Sequence, residues 1–254
     1  MRKRWQVLTI GLCLACSTSA TSGADYKEQQ ALQVVKKLGG KIESNLDGHG
    51  PGLVVNLEGC TATDADLMEV RELKSLRQLT LSGTQVTDEG IKQLRGLKKL
   101  WSLNLSDTQV TGAGLKELKE LELLVMRNTQ ATDAGLKDVK DLTQIWLLDL
   151  SHTNVTDAGL KDLRELKILH YLNLSHTKVT DAGLKELKGL KSLTILNLAN
   201  TRVTDDGLKE LKELPYLDRV ELKNTKATEA GIKNFMESLP WTKFLRQLKR
   251  DFPG

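Results

Sequence analysis

Cysteine is scarce in this 254-residue chain: Cys13 and Cys16 fall in the opening segment and only Cys60 lies beyond it. If the chain is cut after Ala24, no intrachain disulfide can form, and stability must come from packing. Cys60 stands where later stretches of the sequence carry threonine, which reads as a buried small residue and not as a reactive thiol. Charge of one sign is lacking as well. The formal +4 rests on Arg2, Lys3 and Arg4; without them 34 basic residues face 33 acidic ones. Lys and Glu alternate in LKEL runs on a face that should be solvated, and no basic stripe of the kind nucleic acids require is visible. Also missing are a GxSxG elbow, an HExxH pair, a phosphate loop and a carboxylate dyad in an irregular loop. Ser151 and Ser175 lie next to His152 and His176, but they repeat as part of a frame. The expectation is a protein that is not an enzyme and uses no cofactor.

Long apolar runs are absent too. The stretch from Val7 to Ala15, preceded by Arg2, Lys3 and Arg4 and followed by small residues, is too short for a membrane span, which needs about 20 apolar residues. It reads as an export signal over residues 1–24. Two processing routes are open. Cleavage after Ala24 would leave Asp25 as the new terminus. Alternatively, Cys13-Leu-Ala-Cys16 resembles a bacterial lipobox, in which Cys16 would be lipidated, although that motif usually has Leu or another aliphatic where Cys13 stands. Either route predicts an exported protein of the periplasm, the cell envelope or the extracellular space.

What the sequence does have is a period. The unit LRQLTLSGTQVTDEGIKQLRGLKK from Leu76 returns as LWSLNLSDTQVTGAGLKELKEL from Leu100, LHYLNLSHTKVTDAGLKELKGLKS from Leu169 and LTILNLANTRVTDDGLKELKEL from Leu193. Within each unit LxxLxLxxT alternates apolar and polar residues at the period of a short strand. The remainder has leucines at helical spacing after a Thr-Asp start suited to a helix N-terminus. The place that closes the strand motif is Cys60, Thr84, Thr108, Thr129, Thr153, Thr177, Thr201 and Thr225. A hydroxyl there can satisfy buried backbone groups of the turn. Gly90, Gly114, Gly135, Gly159, Gly183, Gly207 and Gly231 recur six residues later, and close approach of neighbouring turns is the expected reason. One interval breaks the rule: Thr108 and Thr129 are 21 residues apart, which shortens the helical side and should change the curvature there.

An LxxLxL core repeating at this period is the signature of a leucine-rich repeat solenoid, an α/β fold. Strands stack at about 4.8 Å and helices at about 8–10 Å, so the stack should bend into a curved horseshoe with the parallel sheet on the concave side and short helices on the convex side. The T-x-V-T-D-x-G-L unit, as in Thr153–Leu160 and Thr177–Leu184, resembles bacterial secreted leucine-rich repeat proteins and, more distantly, the repeats of F-box adaptors. The lead-in Leu38-Gly-Gly-Lys-Ile-Glu looks like that of the bacterial proteins. The resemblance covers roughly residues 31–239 and implies a protein-recognition scaffold; by analogy with the F-box relatives it also implies a substrate-recognition role in ubiquitin ligases. The expected organisation is a signal over 1–24, a capping helix and lead-in over 25–51, about eight repeats over 52–239 and a second cap over 240–254. The caps rest on two apolar stripes, Ala31, Val34, Val35 and Leu38 at one end and Trp241, Phe244, Leu245, Leu248 and Phe252 at the other.

Places in the strand motif that the core does not dictate carry the functional expectation. The fourth and sixth point inward, which leaves the second, third, fifth and seventh to vary. In the middle turns these include Trp101, Leu123, Val125, Trp146, Leu147, Tyr171 and Ile195, an apolar and aromatic group on one face. Asn104, Asp149, Asn173 and Asn197 fill the fifth place beside them and would orient a polar ligand. The two tryptophans could alternatively fold over the strand edge and complete the core. His152 and His176 share a turn position in adjacent units, with His170 and Asp149 near; the alternatives are a metal site, a group that titrates near neutral pH, or turn residues duplicated with the repeat. No third or fourth metal ligand at suitable spacing is evident. The chain is thus expected to be a scaffold that binds a protein or an envelope polymer through the concave face, with no nucleic-acid partner and no membrane contact beyond a lipid on Cys16. A structural element that self-associates through its ends or sheet edge is the alternative from another class.

Overall fold

The computed structural model describes residues 23–47 and 49–239. The export segment and the stripe from Trp241 to Phe252 lie outside the described residues. The chain opens with helix α1 (Gly23–Lys37) and a hairpin of β1 (Lys41–Asp47) and β2 (Gly50–Asn56). Turn follows turn from there: α2 (Asp64–Val70), β3 (Leu76–Thr80), α3 (Asp88–Gln93), β4 (Ser102–Asn104), β5 (Leu123–Val125), α4 (Asp133–Val139) and β6 (Leu147–Asp149). The order continues as α5 (Asp157–Leu160), β7 (Tyr171–Asn173), α6 (Asp181–Leu184), β8 (Ile195–Asn197), α7 (Asp205–Leu211), β9 (Arg219–Glu221) and α8 (Glu229–Ser238). The nine strands among the described residues form one sheet in chain order, β2 to β9 parallel and β1 antiparallel to β2.

The strands are short because only three positions per turn must align before the chain bends away. Leucines at the first, fourth and sixth places of each motif, such as Leu76, Leu79 and Leu81, are buried in one continuous core. Each contributes about 1.5–3 kcal/mol of transfer free energy, and that burial holds helices of four to seven residues that would not form alone. The seventh place is not free, contrary to the alternation argument. Ser82, Ser106, Ser151 and Ser175 are buried there, because the chain has begun to turn and the strand pattern no longer applies.

At the closing place every threonine hydroxyl donates to the carbonyl three residues earlier, from Thr84 to Leu81 O at 2.6 Å through Thr225 to Leu222 O at 2.9 Å. The bond satisfies a carbonyl inside its own turn. Cys60 makes only a long Sγ contact, 3.8 Å to Glu58 O, and is half-buried, not fully buried as its place suggested, because it lies in the first repeat where the stack begins.

A second clamp joins one turn to the next. Each Asp of the V-T-D segment accepts two hydrogen bonds from the Thr 23 residues on: Asp157 Oδ1 from Thr180 N and Oδ2 from Thr180 Oγ1, both at 2.7 Å. Asp64, Asp88, Asp133, Asp181 and Asp205 repeat the arrangement. The carboxylate lies against the glycine of the next turn, so that a Cβ on Gly183 would fall 2.4 Å from Asp157 Oδ1. The joint at the short interval, between the turns of Thr108 and Thr129, lacks the clamp, since Gly112 stands in the aspartate's place. The convex element there is a single 3-10 turn, Leu115–Glu117.

At the N-terminal end Ala31 and Val35 of α1 are buried, while Val34 and Leu38 are half-buried. At the other end Phe235 of α8 and Leu239 are buried against the last turn.

Candidate functional site

Third-place residues sit on adjacent strands in register: Leu123 beside Leu147, Leu147 beside Tyr171, Tyr171 beside Ile195. All four are half-exposed on the sheet face while their fourth-place neighbours are buried. At the strand spacing they form an apolar stripe roughly 14 Å long. Val125 extends it in the fifth place, and Trp146, 39% exposed, flanks it in the second. Polar residues bound the stripe: Gln78 and Ser102 on one side, Arg219 on the other. Within it, desolvation and the nearby Asp149 carboxylate push the Tyr171 phenol up from its usual range, so its hydroxyl remains a donor at neutral pH.

The fifth-place row is less available than its variability suggested. Asn104 Oδ1 accepts from Ser106 N at 2.9 Å, Asp149 Oδ1 from Ser151 N at 2.8 Å, Asn173 Oδ1 from Ser175 N at 3.1 Å and Asn197 Oδ1 from Ala199 N at 3.0 Å. A short side-chain acceptor two residues before an exposed N–H closes the turn locally. Asn173 is buried, and its Nδ2 donates to Asp149 Oδ2 at 3.0 Å, so the sequence expectation of a ligand-facing Asn173 is corrected. Asn104 and Asn197 keep amide N–H groups that form no hydrogen bond among the described residues.

Trp101 does not join the stripe. His49, at the tip of the β1–β2 hairpin, stacks on its ring at a centroid distance of 4.3 Å and an interplanar angle of 18°, and His49 Nδ1 lies 3.4 Å from Glu122 Oε1. The Trp101 indole N–H is buried without a hydrogen-bond partner among the described residues. The two tryptophans therefore differ: Trp101 lies under the hairpin tip, Trp146 stays open. No short-range signal links His49 to a residue 52 positions on, which is why sequence reasoning missed this contact.

His152 and His176 stack on each other, 3.9 Å between centroids and 15° between planes. Both have φ of 57° and occupy the left-handed place that Gly59 and Gly83 fill in the first turns and Asp107, Asn128, Asn200 and Asn224 fill in others. Asn, Asp and His are the side chains that tolerate this region, which accounts for the histidines without invoking a metal. His170 Nδ1 lies 2.6 Å from Ile168 O, and the described residues contain no group of three ligands able to hold an ion.

The family described as Leucine Rich repeat matches residues 72–94, 96–119, 147–163, 167–188 and 189–212. The fold is a leucine-rich repeat solenoid. The unmatched residues 120–146 begin within the shortened interval. An internalin from Listeria monocytogenes is similar at 20% identity and a TM-score of 0.54, over 68% of this chain and 55% of its own. A leucine-rich repeat protein from Leptospira interrogans is similar at 28% identity and a TM-score of 0.53, over 68% of this chain and 49% of its own. The chain thus spans about half the length of these solved structures. No curated protein sequence matches it. Among the described residues no helix is long and apolar enough to cross a membrane.

Proposed function

We propose that this protein is an exported recognition scaffold that binds another protein through the sheet face of β5 to β8. The observation that carries the reading is the in-register apolar stripe Leu123, Leu147, Tyr171 and Ile195, with Trp146 open beside it. Aromatic and aliphatic anchors gathered in one place and rimmed by polar groups are where binding energy concentrates in protein interfaces. The N–H groups of Asn104 and Asn197 and the Tyr171 hydroxyl would set orientation. Export rests on the pattern of residues 1–24 and on the likeness of the repeat unit to bacterial secreted proteins, with lipidation at Cys16 or release after Ala24 as its two forms.

A comparative pull-down from envelope extract tests the reading. The parent chain is set against a Trp146→Ala, Leu147→Ala, Tyr171→Ala variant whose circular dichroism and unfolding midpoint match the parent's. A protein retained by the parent and lost at least tenfold by the variant supports sheet-face recognition. Equal retention by both places recognition elsewhere. Concentration-dependent mass without any partner would instead favour the self-associating envelope element.

A further inference from the structure

The turn that follows each strand presents a second surface along one edge of the sheet. The residue after the closing threonine is Gln85, Gln109 and Gln130 in earlier turns, then Asn154, Lys178, Arg202 and Lys226 in the last four. A groove of about 530 Å³ runs across these turns, lined by His152, Asn154, His176, Lys178, Asn200 and Arg202 together with Asn128 and two threonines. Its lining holds two full cations and two imidazoles but no carboxylate and no aliphatic side chain. Lys178 Nζ donates to the neutral Asn154 Oδ1 at 2.9 Å, and Arg202 forms no ion pair among the described residues. In a chain whose basic and acidic residues nearly balance, this lining carries an excess of positive charge, the Asp107 and Asp149 carboxylates that act on His152 lying outside it.

We propose that this edge binds a linear anionic polysaccharide, its acidic groups meeting Lys178 and Arg202 and its hydroxyls meeting Asn154, Asn200 and the imidazole edges. The lining favours a glycan over a protein. Protein interfaces concentrate their energy in a dry apolar centre, and that chemistry lies on the sheet face, not in this groove. Amides suit hydroxyl-rich ligands because each can donate and accept. Asn200, paired with His176 Nε2 at 2.9 Å and accepting from Asn224 Nδ2 at 3.0 Å, still has a second N–H and a second lone pair, and Asn154 uses only its oxygen toward Lys178. The sites repeat along the edge at about the strand spacing of 4.8 Å, close to the length of one sugar unit in an extended glycan.

Titration couples to the same site. Desolvation, the stacked His176 and the Arg127 guanidinium hold the His152 imidazole below its ordinary value of 6.5, against the opposing pull of Asp149 and Asp107. An anion in the groove favours the protonated form, so binding tightens as pH falls below neutrality.

Isothermal titration of the folded chain with polygalacturonate, dextran sulfate and neutral dextran tests the proposal. The parent should bind at least one of the two charged polymers, with an affinity that falls as salt rises, and should ignore neutral dextran. A Lys178→Gln, Arg202→Gln variant should lose roughly tenfold or more in affinity, about 1.4 kcal/mol. Lys92→Gln, Arg95→Gln on the helix side and Trp146→Ala on the sheet face should bind as the parent does, the latter separating this site from the proposed protein site. Absence of binding to both charged polymers, or equal loss in both lysine–arginine variants, would overturn the proposal. So would tighter binding of a polyglutamate peptide than of either polysaccharide, which would assign the edge to an acidic protein.

Discussion

Two kinds of joint hold the turns of this solenoid together, and they solve one problem differently. At the regular joint Asp133 bonds Thr156 N and Oγ1 at 2.8 and 2.6 Å, and Gly159 leaves room for the carboxylate, whose Oδ1 lies 2.5 Å from where its Cβ would be. At the irregular joint Gly112 replaces the aspartate with φ of 110°, and the cap residue Thr132 makes no side-chain cap bond. Gly135 is retained all the same. A Cβ there would lie 1.9 Å from Thr111 O, because the backbone itself has moved into the space the carboxylate would fill. Asp138 then reaches back to accept from Gly114 N at 2.7 Å. The glycine thus answers to close approach in both joints, whereas the aspartate is one of two ways to fill the gap.

The largest effect should come from Gly135→Ala, since the obstructing atom is backbone. Urea unfolding should show a loss of about 3 kcal/mol. The same exchange at Gly159 should cost less, because the Asp133 side chain can give way. A smaller loss would mean that the two turns separate easily at the irregular joint. Asp157→Ala removes two charge-assisted bonds at a regular joint and should cost about 2 kcal/mol in the same assay, a partly exposed site giving the lower part of the usual range. Gly112→Asp asks whether the clamp can be rebuilt. A side chain at that left-handed φ is strained and meets Gly135 backbone at 3.1 Å, so a loss of about 1–2 kcal/mol is expected, and any gain in midpoint would contradict the account of this joint. Thr153→Val, within a turn and not between turns, should cost about 1 kcal/mol by leaving the Leu150 carbonyl unpaired.

The smallest effect concerns pH. Because the folded state depresses the His152 pKa, the unfolded chain takes up the proton first as pH falls below about 6.5. Stability should therefore be unaffected by this group above that value and decline slightly below it. His152→Asn, which suits the left-handed place, should remove that part of the decline in unfolding midpoints measured between neutral and mildly acidic pH.

The fold was legible because leucines at fixed places leave a chain of this period little choice, and the threonine place was legible because a hydroxyl recurs wherever a carbonyl must be satisfied. The aspartate clamp was equally periodic but was read only as part of a helix start. Its partner lies 23 residues away, in the next turn, and a local rule does not look that far. Variability misled in the fifth place: Asn104, Asp149, Asn173 and Asn197 vary in type yet share a side-chain acceptor, and the turn uses that acceptor. Leu123, Tyr171 and Ile195 were legible as surface residues because period-two alternation puts the third place opposite the buried fourth. Alternation alone would turn the second-place Trp146 inward, and its exposure was open until the structure showed it. The difference between Trp101 and Trp146 was not, since it depends on where a hairpin tip comes to rest.

Recognition by the sheet face is tested most directly by amide hydrogen exchange on the chain with and without the protein captured in the pull-down. The account predicts slowed exchange in residues 121–127, 145–151, 169–175 and 193–199, with the helix side unchanged. Protection confined to the helices, or to the ends of the stack, would contradict it.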